Sequence, residues 1–265
     1  MSTASVQINA LLELMRQLRD PLKGCAWDRV QDFSTIAPYT IEEAYEVAEA
    51  IALGDPARIR DELGDLLFQV VFHARMAEER GWFGFAEVAE GICAKLIRRH
   101  PHVFAQQSGN DEASIALAWE AQKALERRAA GSNGVLADVP RALPGLTRAE
   151  KLGRRAGGVG FDWPDAHSVT DKVLEEFDET LKAIAGTNPA AVSEEIGDLL
   201  FSIANWARHL RVNPEQALQQ AARKFELRFG QMERLAAERG LVLESLSAAQ
   251  WEELWSQAKQ LTAGK

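Results

Sequence analysis

Glu62-Leu-Gly-Asp-Leu-Leu-Phe-Gln-Val-Val-Phe-His-Ala-Arg75 and Glu195-Ile-Gly-Asp-Leu-Leu-Phe-Ser-Ile-Ala-Asn-Trp-Ala-Arg208 are two versions of one segment, set 133 residues apart and identical at eight of 14 positions. Within the first, Leu63, Leu66, Leu67, Val70, Val71 and Ala74 recur at spacings of three and four, the period of a helix with one apolar side. A repeat on this scale means one supersecondary unit used twice. The same offset carries Glu42-Glu43-x-x-Glu46 onto Glu175-Glu176-x-x-Glu179, and Pro56 onto Pro189. Downstream the offset drifts through small insertions: Lys95-x-x-x-Arg99 matches Lys224-x-x-x-Arg228 at 129, and Trp119-x-x-x-Lys123 matches Trp255-x-x-x-Lys259 at 136.

The rest of the chain agrees with a duplicated helical unit. Its 265 residues suggest two domains at roughly 150 residues each. Apolar residues at 46% and charged residues at 26% can build cores and exclude a disordered or collagen-like chain. β signals are sparse, and Gly54-Asp55-Pro56, Gly81, His100-Pro101, Asn213-Pro214 and Gly240 punctuate apolar helical patterns. An all-α fold is expected, with one domain over 1–129, a Gly, Ser, Asn and Pro-containing linker over 130–145, and a second domain over 146–265. The 39 acidic and 30 basic residues give a net charge of −9, so no stable nucleic-acid binding through phosphate neutralisation is expected. Cys25 and Cys93 form no CxxC pair, which leaves a disulfide framework or cysteine zinc site without support and favours a reducing, cytoplasmic location. No stretch approaches about 20 apolar residues, and the first residues lack the basic start and apolar core of a leader, so no membrane partner is expected.

Each repeat holds EExxE, a turn, and ExxD. Residues three apart share a helix face, about 4.5 Å apart along the axis. An antiparallel hairpin turning at Gly54-Asp55-Pro56 would bring Glu43 and Glu46 opposite Glu62 and Asp65, and its copy would do the same for Glu176, Glu179, Glu195 and Asp198. Four converging carboxylates repel unless a cation joins them. No Glu-x-x-His spacing occurs, and an all-oxygen set favours a hard ion, Mg²⁺, over zinc or a di-iron centre. The competing reading is a solvated acidic face, with Thr40-x-x-Glu43 as a capping box. It weakens in the second repeat, where Thr40 becomes Val173 and the helix is expected to start near Ser168.

Lys224 and Arg228 share a helix face, as do Lys95 and Arg99, and cations beside a metal site suit a phosphate-bearing ligand. Arg99, just before His100-Pro101, also suits a helix C-terminus, and Lys224 with Arg228 also suits a solvated face. Trp255 and Lys259 suit a base-stacking ring with a phosphate contact; Trp251, Leu254 and Trp255 equally suit a core stripe. His100-Pro101-His102 reads as a helix-ending loop rather than a metal site. Gly157-Gly158-Val159-Gly160 lacks the context of a dinucleotide fingerprint, and neither GxxxxGK[ST] nor GxSxG occurs.

With EExxE, the 15-residue gap and ExxD running on as GDLLF, the sequence resembles the MazG family of all-α nucleoside triphosphate pyrophosphohydrolases. The resemblance extends to Gly24-Cys-Ala-Trp-Asp28, Thr35-Ile-Ala-Pro-Tyr-Thr40 and Arg98-Arg-His-Pro-His-Val-Phe104. It implies tandem MazG-like helical domains whose four-helix-bundle packing is completed by dimerisation as a homodimer. The activity it implies is Mg²⁺-dependent hydrolysis of an NTP or dNTP, ATP among them, between the α and β phosphates. The family's metal ligands fall on Glu176, Glu179, Glu195 and Asp198, matched by Glu43, Glu46, Glu62 and Asp65. Its nucleotide contacts fall on Lys224, Arg228, Trp255 and Lys259. In two-domain members the C-terminal repeat is generally the catalytic one. Glu176 is the first candidate for general base, and Lys224, Arg228 and Lys259 for neutralising the leaving pyrophosphate. The rival readings are a dUTP-preferring enzyme of the same superfamily and a regulatory helical module that binds nucleotide without hydrolysing it.

The net charge then takes on a different meaning. Without the eight matched acids it would stand at −1, and those eight sit where a cation is expected to offset them.

Overall fold

The computed structural model describes residues 3–104, 115, 118–119, 122–123, 125–126, 131, 134–186 and 188–263. No strand occurs among them. The chain divides into two compact units, Met1–Leu125 and Glu126–Lys265. Of the expected linker, residues 130, 132 and 133 lie outside the described residues.

In the first unit, α1 (Thr3–Leu18), α2 (Phe33–Leu53), α3 (Pro56–Glu79), α4 (Phe85–Arg99) and a single-turn α5 (Pro101–Phe104) follow in order. The α2–α3 pair is the expected hairpin. Gly54, at φ 68°, caps α2 in the left-handed region that a side chain disfavours, and Asp55 and Pro56 start α3 by accepting Ala57 N–H and by fixing φ. Met15, Ile36, Val71, Phe72 and Met76 form the core where α1, α2 and α3 meet.

The start of α2 departs from the sequence reading. Asp32 is the cap, accepting from Ser34 and Thr35 N–H while Thr35 Oγ1 accepts from Asp32 N–H. Thr40 therefore lies inside the helix, 3.0 Å from His73 Nε2, and is no cap for Glu43. Pro38 sits within α2, where it removes one helical hydrogen bond close to the N-terminus.

The second unit contains α6 (Gly145–Gly157), α7 (Ala166–Ala185), α8 (Pro189–His209), α9 (Pro214–Glu238) and α10 (Ala248–Leu261). Again α7 and α8 form the hairpin, with Asn188 and Pro189 starting its second arm. Asp165 caps α7 by accepting Ser168 N–H, near the expected start. The core between α9 and α10 is Met232, Ala236, Leu254 and Ala258, with Phe229, Trp251 and Trp255 packed against it.

A polar clamp ties the loop before α7 to the end of α8. Arg208 donates two hydrogen bonds to Asp162, at 2.8 and 2.6 Å, and His209 Nε2 lies 2.9 Å from the same carboxylate. Hydrogen bonding to Arg208 is the main reason that the Asp162 pKa falls from the ordinary 3.8 to about 2. A carboxylate held low in the folded state stabilises it above the unfolded pKa and loses that contribution as pH falls through the folded pKa. Asp162→Asn is thus expected to remove part of the stability loss between about pH 4 and pH 2, measured as urea midpoint against pH.

Arg208 Nε also donates to the fully buried Asn205, whose Nδ2 donates to Phe201 C=O. Gly153 of α6 lies against this amide: a Cβ there would stand 1.9 Å from Asn205 Oδ1. Since Asn205 is held on both sides, Gly153→Ala is expected to lower unfolding free energy by about 3 kcal/mol, read by chemical denaturation.

Candidate metal and nucleotide site

The α7–α8 hairpin brings Glu176 and Glu179 opposite Glu195, with one oxygen of each within 4.8 Å of the others. In the first unit, Glu43, Glu62 and Asp65 meet the same condition. Glu46 and Asp198 stand outside these close triads. Both still act electrostatically on them, Glu46 on Glu43 and Asp198 on Glu195. The duplicated spacing thus brings three acids into close approach in each repeat and places the fourth nearby.

The two clusters differ in burial. Glu176 is only 6% exposed, whereas its counterpart Glu43 is half-buried and Asp65, although it neighbours Leu66 and Leu67 of the apolar stripe, is exposed. Burial first, and then Asp65 and Glu46, raise the Glu43 pKa. Partial burial first, and then Glu179, Glu176 and Asp198, raise that of Glu195. At Glu43 and Glu195, burial and the neighbouring carboxylates together outweigh any attraction from the fold's own cations.

One cation that the sequence reading missed belongs to the second cluster. Lys172 Nζ lies 2.7 Å from Glu176 and 2.9 Å from Glu175, and these bonds, to Glu176 first, raise its pKa. The available signal was its position four residues before Glu176, one helical turn away.

The nucleotide candidates lie on α9 and α10. The Arg228 guanidinium stands 5.7 Å from the Trp255 ring centroid, and its Nε is buried without a hydrogen-bond partner. A buried donor left unpaired is unfavourable, so this nitrogen is suited to an incoming acceptor. Among the described residues no carboxylate lies within ion-pair distance of Lys224, Arg228 or Lys259. Trp255 is half-buried: it packs on the core and also lines a cleft of about 410 Å³ with Phe225, Phe229 and Trp251. The core-stripe and ligand-facing readings of these tryptophans are therefore compatible. Phe225 and Phe229, which complete the aromatic lining, carried no signal of their own in the sequence.

The first unit repeats this arrangement. Arg99 stands 5.7 Å and Lys123 Nζ 5.5 Å from the Trp119 ring centroid. His100 ends α4 and meets the same ring edge-on at 4.7 Å, whereas Pro101 and His102 open the single-turn α5 rather than a loop.

The family model for the MazG nucleotide pyrophosphohydrolase domain matches residues 31–104 and again 165–232, the two stretches that contain these hairpins. The chain belongs to the MazG family. It carries two MazG domains in tandem, each with its acidic cluster between two antiparallel helices. An Escherichia coli (strain K12) protein named nucleoside triphosphate pyrophosphohydrolase is 49% identical over 256 residues, covering 96% of this chain and 97% of its own. A Thermotoga maritima protein named nucleoside triphosphate pyrophosphohydrolase/pyrophosphatase MazG is 42% identical over 259 residues, covering 98% of each. Similarity to MazG proteins therefore spans nearly the whole chain. No described helix is long and apolar enough to cross a membrane.

Proposed function

We propose that the chain hydrolyses nucleoside triphosphates, ribo- or deoxyribo-, between the α and β phosphates, giving a nucleoside monophosphate and pyrophosphate. The observation that carries this reading is the close triad of Glu176, Glu179 and Glu195, backed by Asp198, in a MazG hairpin. The cytoplasm is its proposed location and upkeep of the nucleotide pool its proposed role.

The donor set fits Mg²⁺: it is all oxygen, it is partly buried, and its carboxylates repel one another without a cation. Glu176, Glu179, Glu195 and Asp198 would hold the ion, as would Glu43, Glu46, Glu62 and Asp65 in the first repeat. Bound there, Mg²⁺ supplies positive charge that polarises phosphate oxygens and acidifies a nearby water. Water attacks the α phosphorus, a P–O bond forms, and the bond from that phosphorus to the bridging oxygen breaks, releasing pyrophosphate. The proton leaving the water passes to a carboxylate, for which Glu176 is proposed. Lys224, Arg228 and Lys259 offset the charge on the leaving pyrophosphate, and Trp255 offers its ring to the base.

The active form is proposed to be a homodimer. On α7, Leu174, Phe177, Leu181 and Ile184 form a stripe, joined on α8 by Ile196, Leu200 and Ile203, each 36–59% exposed. The 133-residue offset maps Ile41, Ile51, Leu63 and Val70 of the first unit onto the same pattern, and these too are exposed. A contiguous apolar face of this kind suits burial against a second copy of the chain.

Product identification tests the activity. Incubation with an NTP and Mg²⁺ should yield the monophosphate and pyrophosphate in equal amounts. A diphosphate with orthophosphate would sink the proposed bond cleavage, and saturable binding without turnover would leave only a nucleotide-binding module. Competition among dUTP and the other triphosphates sets the base preference.

A further inference from the structure

Lys172 marks a further difference between the two clusters. Its ammonium lies 2.7 Å from the buried Glu176. At the matched position of the first repeat stands Tyr39, whose ring packs edge-on against Trp27. Among the described residues, no cation lies within ion-pair distance of Glu43, the counterpart of Glu176.

We infer that Lys172 is the resident counter-ion of the second-repeat cluster, one that a free divalent cation must displace, so the first repeat binds metal alone and the second takes it together with a polyphosphate. The inference rests on the metal reading proposed above. An ammonium and a divalent ion that share one carboxylate repel each other at short range, so the lysine must leave or the metal binds weakly. Lys172 sits on a flexible stem with its side chain 32% exposed, and it also holds Glu175, which offers a place to withdraw to. A metal that arrives chelated brings the negative charge of the polyphosphate with it, and the competition for Glu176 is relieved. The first repeat has no such competitor: its position 39 is a neutral phenol.

Calorimetric titration of the full chain with Mn²⁺, in the absence of nucleotide, separates the possibilities, since Mn²⁺ uses the same hard oxygen donors as Mg²⁺. Wild type should show one tight class of site and a second that is weak or below detection. Lys172→Met should tighten the second class at least tenfold, and adding Glu195→Gln to that variant should abolish it. Tyr39→Lys should weaken the tight class at least tenfold. Circular dichroism confirms that each variant is folded. If Glu195→Gln removes a class of sites whose affinity Lys172→Met leaves unchanged or weaker, the counter-ion role is overturned while the metal site stands. If no saturable Mn²⁺ binding responds to Glu195→Gln, with or without Lys172, the metal reading itself fails and the inference goes with it.

Discussion

Glu195→Gln is expected to slow pyrophosphate release by about 10³-fold, and Glu176→Gln at least as much. Each change keeps the side chain's shape and removes one charged oxygen donor from the close triad. The stabilisation that a bound divalent ion gives a phosphoryl-transfer transition state is several kcal/mol, and about 4 kcal/mol corresponds to three decades of rate. Stability should move the other way for Glu195. Its raised pKa means that the folded state disfavours the ionised form, so at neutral pH the neutral glutamine relieves repulsion and the melting temperature holds or rises. A fall in turnover with no fall in stability separates loss of chemistry from loss of fold. Undiminished turnover in both variants, assayed with saturating NTP and Mg²⁺, would remove the second repeat from the proposed mechanism. Glu62→Gln, assayed in parallel, measures the share that belongs to the first repeat.

The acids were legible in the sequence because their chemistry is written in local spacing. Glu43 and Glu46, or Glu176 and Glu179, are neighbours on any helix, and a turn with Pro at the start of the next helix leaves an antiparallel return as the simplest path. Duplication then distinguished this pattern from an ordinary solvated face. What the spacing could not give was depth: Glu176 is buried and its counterpart Glu43 is only half-buried, because burial depends on what packs around each hairpin. Nor could it give partners between distant segments. Phe225 and Trp255 are 30 positions apart, and only the pairing of α9 with α10 brings their rings to 5.7 Å. The start of α2 differs from the sequence expectation for a local reason, since the chain offers two cap-like spacings, Asp32-x-x-Thr35 and Thr40-x-x-Glu43, and the structure uses the first.

Phe177→Asp with Leu181→Asp is expected to convert the proposed homodimer into a monomer at micromolar concentration, weakening association by at least 10³-fold in sedimentation or light-scattering measurements. Both side chains are about half exposed in the single chain, so covering each gains roughly half of the 1.5–3 kcal/mol that full burial of such a group is worth. In a two-fold dimer each substitution is felt twice, and the introduced carboxylates would be buried without partners. At 100° per residue, the stripe runs about 140° around α7 from Glu176 and Glu179. The proposed partner therefore covers the apolar flank of the hairpin and leaves its acidic face open to substrate. Turnover in the monomer should consequently fall through loosening of the hairpin rather than through loss of a ligand: in a Lys172→Met background, Mn²⁺ binding should weaken while remaining sensitive to Glu195→Gln. A variant that stays dimeric would place the interface on another surface. A wild-type chain that sediments as a monomer would leave the exposed stripe to a different partner.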